Sequence, residues 1–574
     1  MKIDMLDKIS KIILKKNRLK GPKNNCIDNF NLIETIDNTK NIQKINIEKL
    51  NEEENGKKAL KDFKTLLNTL EFKRIDISET IISDNETYIE KQHEILGTHY
   101  IFLNIENKNL RIVTEDGKAF IIDTEKVDDK IYGTIFTTYM PRKICIDSSS
   151  IFNFNSLEKN SIYDIVHIVR MFYNIENPTL SDIINMFIKK PIENEDINIM
   201  AYNLFPIKNE INTLLEKHLL MKMINKETKL LEIIAKCQKK GLPFSKEKFI
   251  EFKNFLEDKY NEITNEFKEK YNKELEEIFD IISMCNDNGE YTSVNKEFLK
   301  EIGNIKLAGE VLAFKVFEKY KNAKLNYNDN RLFLNYNPYN KYGNIECSFD
   351  VDNKYIVTDN NIAIGKYPDL YYRIFAEIVN VDYIIEAINS NKLIEALTER
   401  IFGEVNPPTK LNTKCVLDGF INGYFDEIEM AEFILDERDT YIDEQDVKKI
   451  QNEFREKCPE LIKTIENFNK FRSFDKRHPL EPRDSLHRYI KVIESDIFKQ
   501  AVMLVYNNII NYNQKNKSQI YLVGLLDNKI VLEADDNSIN VAVDILNRNL
   551  PKAFEKYIKK VQAVSVTYNS KKLQ

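Results

Sequence analysis

The sequence is poor in several residue types that mark particular classes of protein. It contains no tryptophan and only 15 glycines and 14 prolines among 574 residues, so glycine-rich phosphate-binding loops are scarce. Its seven cysteines never form a C-x-x-C pair, which argues against a zinc ribbon and a disulfide framework. No run approaches the ~20 apolar residues of a membrane span, and the first residues lack the apolar core of a secretory signal. We therefore expect a cytoplasmic protein with no membrane partner, associated with the nucleoid if the source is bacterial.

Charge and hydrophobicity are those of a soluble, folded protein. Hydrophobic residues make up 42% of the chain and charged residues 30%, which supplies apolar material for sizeable cores and excludes disorder as the main state. At about 150 residues per domain, the length predicts roughly three to five domains. Lysine and arginine number 84 against 91 acidic residues, and the formal charge of −7 still allows a local basic groove.

The first 90 residues differ from the rest of the chain. A basic leader (MLDKISKIILKKNRLKGPKNN) precedes a charged linker that is poor in large hydrophobic residues. This composition is typical of a flexible arm with short helices. A dedicated helix that binds a protein partner is the alternative for the leader.

Residues 91–207 carry the pattern of a compact α/β domain. Short runs of β-branched and aromatic residues alternate with turn residues between about 98 and 146. They predict five strands: HYIFLNIEN, LRIVTED, AFIIDTE, IYGTIFTT and KICIDSS. Helices are predicted at about 158–175 and 179–189, and the mixture of strands and helices favours one domain.

The rest of the chain begins helical and then becomes mixed. Residues 208–325 show apolar positions at helical spacing, with Gly241 as a predicted helix cap. After a polar interval, strands and helices alternate, and the strands QIYLVGLL and KIVLEA flank a predicted tight turn at Asp527-Asn528. We expect an α/β architecture with a small antiparallel sheet that carries a carboxylate at this turn.

Four C-terminal segments contain sparse matches to known motifs. KYPDLYYRIFAEIVNVD (366–382) is similar to D-Y-S-x-I-E-L-R-I-L-A-H-L-S-x-D, and KLNTKCVLDGFINGY (410–424) to R-x-x-A-K-x-x-N-F-G-x-x-Y-G. RDSLHRYIKVIESDIFKQAVM (483–503) is similar to R-x-x-x-N-x-P-x-Q-G-x-x-A-D-x-x-K-x-A-M, and LLDNKIVLEAD (525–535) to V-H-D-E-x-V-x-E-V. In this order and spacing, the segments resemble the polymerase module of family A DNA polymerases, the bacterial DNA polymerase I type.

The resemblance implies a right-hand polymerase module preceded by a degenerate 3′–5′ exonuclease-like domain. The fold class is then α/β multidomain and predominantly helical. The implied divisions are a basic leader and polar linker (1–90), an exonuclease-like domain (91–207), a thumb-like region (208–325), the first part of a palm (326–390), fingers-like helices (391–482) and the C-terminal part of the palm (483–574).

The positions that would bind catalytic metals are altered. Nucleotidyl transfer in this family uses two divalent metals about 4 Å apart, bridged by carboxylates. The resemblance places Lys366 at the first carboxylate and Tyr371 at a later glutamate, and it keeps Asp527 as a remnant catalytic residue. We expect Lys366 and Asp527 to form an ion pair in place of the metal. A shift of the alignment that makes Asp369 or Asp359 a ligand stays open.

The exonuclease-like domain shows the same loss of carboxylates. Its D-x-E strand has Asn104 in place of the aspartate and keeps Glu106, and Asp147 is the carboxylate nearest the second expected position. Asp164 matches a structural aspartate of that domain. Because two-metal hydrolysis needs at least three carboxylates, we expect a retained scaffold without nuclease activity.

Basic residues at several motif positions indicate phosphate binding instead. Lys410 and Lys414 lie four residues apart on one predicted helix face, a spacing suited to a triphosphate or a backbone phosphate. The resemblance implies that they bind nucleotide phosphates together with Arg373, Arg483 and Lys491. It implies that a further set contacts the nucleic acid, namely Arg472, Lys476, Arg477, Arg488 and Lys499. Solvated helix faces are the alternative for part of these residues.

Together these features favour a family A DNA polymerase-like protein that is catalytically impaired or inactive. We expect it to bind primer–template DNA in a replication or repair role and to need no cofactor, and any protein partner of the leader would then be a replication or repair protein. One alternative is an active template-directed DNA polymerase with displaced metal ligands, which would require Mg²⁺. The other is a structural scaffold for protein interactions without a nucleic-acid role.

Overall fold

A computed structural model gives the fold of the chain. It describes two long stretches, 58–271 and 357–572, and the short pieces 283–285, 291–294, 327–328, 330–337 and 345–348 between them. Within the long stretches it leaves out 60, 107, 154–160, 171, 173–177, 194, 219, 439–441, 471–484 and 527. The predicted basic leader lies outside the described residues.

A six-stranded mixed sheet forms the centre of the first folded region. Its strands are β1 (Ser78–Ile82), β2 (Tyr100–Glu106), β3 (Asn109–Thr114), β4 (Lys118–Asp123), β5 (Arg142–Cys145) and β6 (Ile162–Asp164). The order is β1-β4-β3-β2-β5-β6; β2, β3 and β4 pair antiparallel, and the outer strands pair parallel. Four of the five predicted strands are confirmed as β2 to β5. The prediction lacks the edge strand β1, which extends the sheet to residues before 91.

Short helices connect and cover this sheet. They are α1 (Asn85–Leu96), α2 (Asp129–Tyr132), α3 (Thr134–Thr137), α4 (Ser148–Asn153), α5 (Ile165–Arg170) and α6 (Leu180–Phe187). The predicted strand IYGTIFTT is wrong, because this segment forms α2 and α3. Asp128 caps α2 by accepting a hydrogen bond from the Lys130 amide. Ile135 and Phe136 are both buried, which suits a helical turn rather than an alternating strand.

Two long helices lead from this sheet to the C-terminal region. They are α7 (Ile197–Lys217) and α8 (Met221–Lys240), followed by β7 (Leu242–Pro243) and α9 (Lys246–Tyr271). Helix α7 runs continuously across the predicted boundary between 207 and 208. Helix α8 ends at Gly241 as the sequence predicts; its φ of 71° suits glycine, and its amide donates to the Cys237 carbonyl.

Helix α8 contributes residues to the hydrophobic cores of both regions. Leu231 and Ala235 belong to a core with the six-stranded sheet, whereas Ile233 and Ile234 belong to the large core of the C-terminal region. Successive residues of a helix point in different directions, so α8 buries different sides of its surface in the two regions. Both regions therefore pack against the same helix.

A four-stranded antiparallel sheet lies in the C-terminal region. Short strands precede it, namely β8 (Ser283–Cys285), β9 (Tyr291–Val294), β10 (Tyr327–Asn328), β11 (Arg331–Leu332), β12 (Asn335–Asn337) and β13 (Glu346–Ser348). The sheet consists of β14 (Val357–Lys366), β15 (Ile520–Leu526), β16 (Lys529–Ala534) and β17 (Val566–Lys572) in the order β15-β16-β14-β17. The predicted hairpin of β15 and β16 is confirmed, with Asn528 at its turn.

The C-terminal region also contains a series of helices. They are α10 (Leu370–Val379), α11 (Asp382–Asn389), α12 (Leu393–Phe402), α13 (Pro407–Ile421), α14 (Glu427–Arg438), α15 (Glu444–Lys457), α16 (Pro459–Lys470), α17 (Ser485–Asn513) and α18 (Ile539–Glu555). Helix α18 packs closely on one face, where a Cβ on Gly365 would lie 3.1 Å from Leu546. The described helices include none with the length and apolar character of a bilayer-crossing segment.

Candidate nucleic-acid and nucleotide site

The end of the four-stranded sheet places two lysines side by side. Lys366 is the last residue of β14 and lies directly opposite Lys529 on β16 and Val566 on β17. Directly opposed residues of an antiparallel pair project from the same face of the sheet. Since the preceding residue Gly365 faces α18, side-chain alternation directs Lys366 to the other face.

An aromatic ring lies beside these lysines. Nζ of Lys366 is 5.6 Å from the ring centroid of Tyr568, within the range of a cation–π contact. Lys366 holds the position at which the family resemblance implies a metal-binding carboxylate. Asp527 lies outside the described residues, so its ion pair with Lys366 stays a prediction.

A hydrogen-bonded chain connects helix α17 to the turn between β15 and β16. Lys491 donates to Oε2 of Glu494 over 2.8 Å, and the side-chain amide of Asn528 donates to Oε1 over 2.7 Å. Because Glu494 is only 4% exposed, the pairing with Lys491 compensates a buried charge. Sequence reasoning missed Glu494, since one of its partners comes from a distant hairpin; the spacing of three residues to Lys491 is the local signal.

Tyr371 stands where the family motif has a glutamate. Its hydroxyl lies 2.8 Å from Nδ1 of His487, and Nζ of Lys491 lies 5.3 Å from its ring centroid. Its ring also contacts the edge of Tyr372, whose hydroxyl donates to Asp418 over 2.8 Å. A phenol lies between α10 and α17 at the position where the resemblance implies a carboxylate, and a neutral phenol is a poorer ligand for a divalent metal.

A cavity of about 760 Å³ lies beside helix α13. Lys410 and Lys414 line it from one face of the helix, as their spacing predicts, and Glu395, Asp369 and Tyr372 line it from α12 and the start of α10. Lys410 forms an ion pair with Glu395, and its hydrogen bond lowers the pKa of that carboxyl. Lys414 is exposed, whereas Lys410 is paired with Glu395, and phosphate binding by these two lysines stays a prediction.

A capping box fixes the start of α13. The Asn406 side chain accepts a hydrogen bond from the Thr409 amide over 3.0 Å, and the Thr409 side chain accepts one from the Asn406 amide over 3.0 Å. Pro407 at the first helical position suits the same geometry. The cavity therefore adjoins the N-terminal end of α13, where the helix dipole favours negative charge.

Arg373 does not line an open cleft, contrary to its predicted place among the phosphate-binding residues. It is fully buried and donates to the carbonyls of Pro368 and Gln562 over 3.3 and 3.2 Å, and to the Asn391 side chain. Burial lowers the pKa of its guanidinium, while the nearby Asp369 acts in the opposite direction. Arg373 therefore holds the C-terminal segment against α10.

Lys499 and Arg488 are also buried. Lys499 donates to Glu227 on α8 over 2.7 Å, and Nε2 of His167 on α5 lies 3.7 Å from the same carboxylate. Lys499 is 5% exposed and Arg488 is 7% exposed. Their predicted contacts with nucleic acid do not fit this burial, and the Glu227–Lys499 pair instead joins α17 to the helix shared by the two regions.

Part of the predicted site lies outside the described residues, namely Asp527, Arg472, Lys476, Arg477 and Arg483. Their proposed roles stay predictions. In the part of the chain that the structure describes, no group of three or more histidine, cysteine, aspartate or glutamate side chains has a metal-binding arrangement.

Polar residues on the six-stranded sheet bond to one another. The Asn104 amide donates to Glu106 over 2.6 Å on β2. Asn104 lies directly opposite Arg111 on β3, whose guanidinium donates to Asn198 on α7 over 2.7 Å. Arg111 therefore holds α7 to the sheet, whereas the bond between Asn104 and Glu106 lies within β2.

Asp164 has the structural role that the sequence predicts. It is 1% exposed, and its two carboxylate oxygens accept hydrogen bonds from the amides of Ser148 and His167 over 3.0 and 2.9 Å. These bonds satisfy backbone groups at the starts of α4 and α5. This carboxylate thus stabilises two helix ends within the α/β region.

Comparisons with known proteins show a shared fold. The chain is similar to the solved POL domain of Pol1 from M. smegmatis in complex with a DNA primer-template and dNTP, with a TM-score of 0.67 and 13% sequence identity. The match covers 87% of this chain and 99% of that domain. Since residues 208–574 are less than two thirds of the chain, the match also extends to residues before 208. No family model and no curated protein matches the sequence.

Proposed function

We propose that this protein binds primer–template DNA with its polymerase-like module and has lost or strongly reduced nucleotide addition. The proposal rests on one contrast in the C-terminal region. The cavity beside α13 keeps two lysines suited to phosphates, whereas the end of β14 carries Lys366 at the position implied for a metal-binding carboxylate. The C-terminal region thus has lysines suited to phosphate, and it has a lysine at a position where the resemblance implies a ligand of a catalytic metal.

The shared fold supports DNA as the ligand. The similar Pol1 domain was solved with primer-template and dNTP, and the match covers nearly all of that domain. Contacts from lysine and arginine to backbone phosphates are independent of base sequence and need no metal. On this basis we assign a replication or repair role, with the α/β region as an exonuclease-like scaffold that lacks nuclease activity.

An active polymerase with displaced metal ligands is the first alternative. Asp369 at the start of α10 and Asp527 at the hairpin are its candidate carboxylates, and Mg²⁺ would be its cofactor. Primer extension with Mg²⁺ and four dNTPs separates the two functions. We expect no extension, and extension by the wild type that disappears in Asp527→Ala would contradict the proposal.

A protein-interaction scaffold without a nucleic-acid role is the second alternative. Fluorescence anisotropy with labelled primer–template DNA over a salt series tests it. A DNA binder must weaken steeply, since the logarithm of its association constant falls by about 0.9 per phosphate contact for each tenfold increase in salt. We expect this dependence, and the absence of binding at low salt would favour the scaffold.

A further inference from the structure

We propose that Lys366 and Lys529 form a metal-independent site for a phosphodiester group of the nucleic-acid backbone. The site lies at the end of the four-stranded sheet, on the face that α18 does not cover. This inference rests on the proposed DNA binding and specifies where one strand is held.

The register of the sheet brings the two ammonium groups together. Lys366 and Lys529 are direct neighbours across β14 and β16, so their Cα atoms lie about 4.5–5.5 Å apart and their side chains leave the same face. Both side chains are half-buried. A phosphate group at this end of the sheet could accept hydrogen bonds from both side chains.

The surroundings of the pair suit a nucleotide unit. Tyr568 on β17 lies opposite Ile364 of β14 and therefore on the same face as Lys366. Its ring centroid is 5.6 Å from Nζ of Lys366. Val566, directly opposite Lys366, is 40% exposed, so the end of this face is accessible. An aromatic ring and an aliphatic side chain beside two cations match the sugar or base and the phosphate of one strand.

A third lysine lies near the turn that precedes Lys529 and is paired with a carboxylate. Lys491 approaches from α17 and pairs with Glu494, which also accepts a hydrogen bond from Asn528, the neighbour of Lys529 in the hairpin. This pair is neutral as a unit. Lys491 therefore adds no net charge beside Lys366 and Lys529.

A strand phosphate is a better ligand here than a nucleotide triphosphate. The cavity that suits a triphosphate is lined by Lys410 and Lys414 on α13, and its lining includes neither Lys366 nor Lys529. The two pairs of lysines therefore belong to separate elements. A nucleotide in the cavity and a strand at the sheet end would each have their own cations.

Fluorescence anisotropy with labelled primer–template DNA, in EDTA and in Mg²⁺, tests the site. The double variant Lys366→Gln/Lys529→Gln is compared with Lys190→Gln/Lys449→Gln, which removes two exposed lysines elsewhere. We expect equal wild-type affinity in EDTA and Mg²⁺. In the first variant, the loss of one phosphate contact should reduce the slope of the logarithm of the association constant against the logarithm of salt concentration by about 1. It should also weaken DNA binding roughly tenfold at about 0.1 M salt. The second variant should show neither change.

Two further measurements distinguish lost charge from a damaged fold, and a strand phosphate from a free nucleotide. Lys366→Arg/Lys529→Arg keeps both charges and should bind DNA like the wild type, which a damaged fold would not allow. Affinity for a fluorescent nucleoside triphosphate should be unchanged in Lys366→Gln/Lys529→Gln. A lost nucleotide affinity with unchanged DNA affinity would overturn the assignment to a strand phosphate.

The failure of the inference and that of the proposed function look different. Wild-type binding that requires Mg²⁺, or equal affinities of the two glutamine double variants, would overturn the lysine site and leave DNA binding intact. Wild-type protein that binds no DNA at low salt would overturn both.

Discussion

The region of the six-stranded sheet and the region of the four-stranded sheet use their polar motif positions differently. In the first, Asp164 is buried and bonds to backbone amides. In the second, Lys410 and Lys414 line a cavity, and Lys366 and Lys529 adjoin each other at the end of a sheet. The first region uses a buried carboxylate as structural support, whereas the second carries lysines at a cavity and at the end of a sheet. Under the proposed function, these lysines are the groups that bind phosphates.

Burial distinguishes supporting cations from binding cations. Lys499 and Arg373 are buried and engaged with groups of the protein, whereas Lys414 is exposed. Removing one partner of a buried ion pair costs about 3–5 kcal/mol, whereas an exposed pair contributes about 0–1 kcal/mol. Stability and ligand affinity should therefore respond to different lysines.

Replacing Lys499 by methionine has the largest expected effect. The change leaves Glu227 buried without its ammonium partner, so the free energy of unfolding should fall by about 3–5 kcal/mol in chemical denaturation. Lys448→Met, which removes an exposed pair with Glu427, should shift it by less than about 1 kcal/mol. Unchanged stability with weakened DNA binding in Lys499→Met would return this lysine to the DNA interface.

Asp164→Ala tests the supporting role of the six-stranded region. It leaves the amides of Ser148 and His167 without their acceptor, so we expect a loss of about 2–4 kcal/mol in the free energy of unfolding. Asp164→Asn retains one acceptor oxygen and should lose less. DNA affinity should be unchanged under conditions where the variant is folded. A loss of DNA affinity without a loss of stability would contradict a purely structural role of Asp164.

Lys414→Met and Lys410→Met test the binding role of the cavity. A charged hydrogen bond contributes about 1.5–3 kcal/mol, so the dissociation constant for a nucleoside triphosphate should rise at least about tenfold in isothermal titration calorimetry. The free energy of unfolding should change by less than about 1 kcal/mol. Lys449→Met on α15 is the matched control. An equal rise of the dissociation constant in this variant would mean that the cavity is not the nucleotide-binding site.

Asn104→Asp has the smallest expected effect. It removes the hydrogen bond to Glu106 and sets two carboxylates side by side on β2, which should lower the free energy of unfolding by less than about 1 kcal/mol. A nuclease assay with single-stranded DNA and Mg²⁺ should show no gain of activity. Activity in this variant would mean that the six-stranded region has retained a metal site.

Local patterns predict much of the secondary structure. Alternating apolar runs indicate β2 to β5 and the hairpin of β15 and β16, and Gly241 marks the end of α8. The pattern fails at IYGTIFTT, where a capping aspartate and two adjacent buried residues favour helical turns. It also misses β1, whose outward positions at the sheet edge leave it without a clear alternation of buried residues.

The sequence predicts the candidate site only where the residues concerned lie on a single helix or strand. The spacing of Lys410 and Lys414 gives a shared helix face, which the structure bears out at the cavity. The burial of Arg373 and Lys499 depends on partners more than 180 residues away in sequence, such as Gln562 and Glu227. The pattern within one segment does not reveal such distant partners, so the motif resemblance placed both residues in a cleft that their burial does not fit.

The most direct test of the central claim measures binding and extension on the same labelled primer–template. Anisotropy is recorded in the presence of Mg²⁺ and four dNTPs, and the same samples are then resolved on a denaturing gel. We predict salt-sensitive binding with a primer of unchanged length. A primer that is bound and extended by the wild type, with extension lost in Asp527→Ala, would contradict the account.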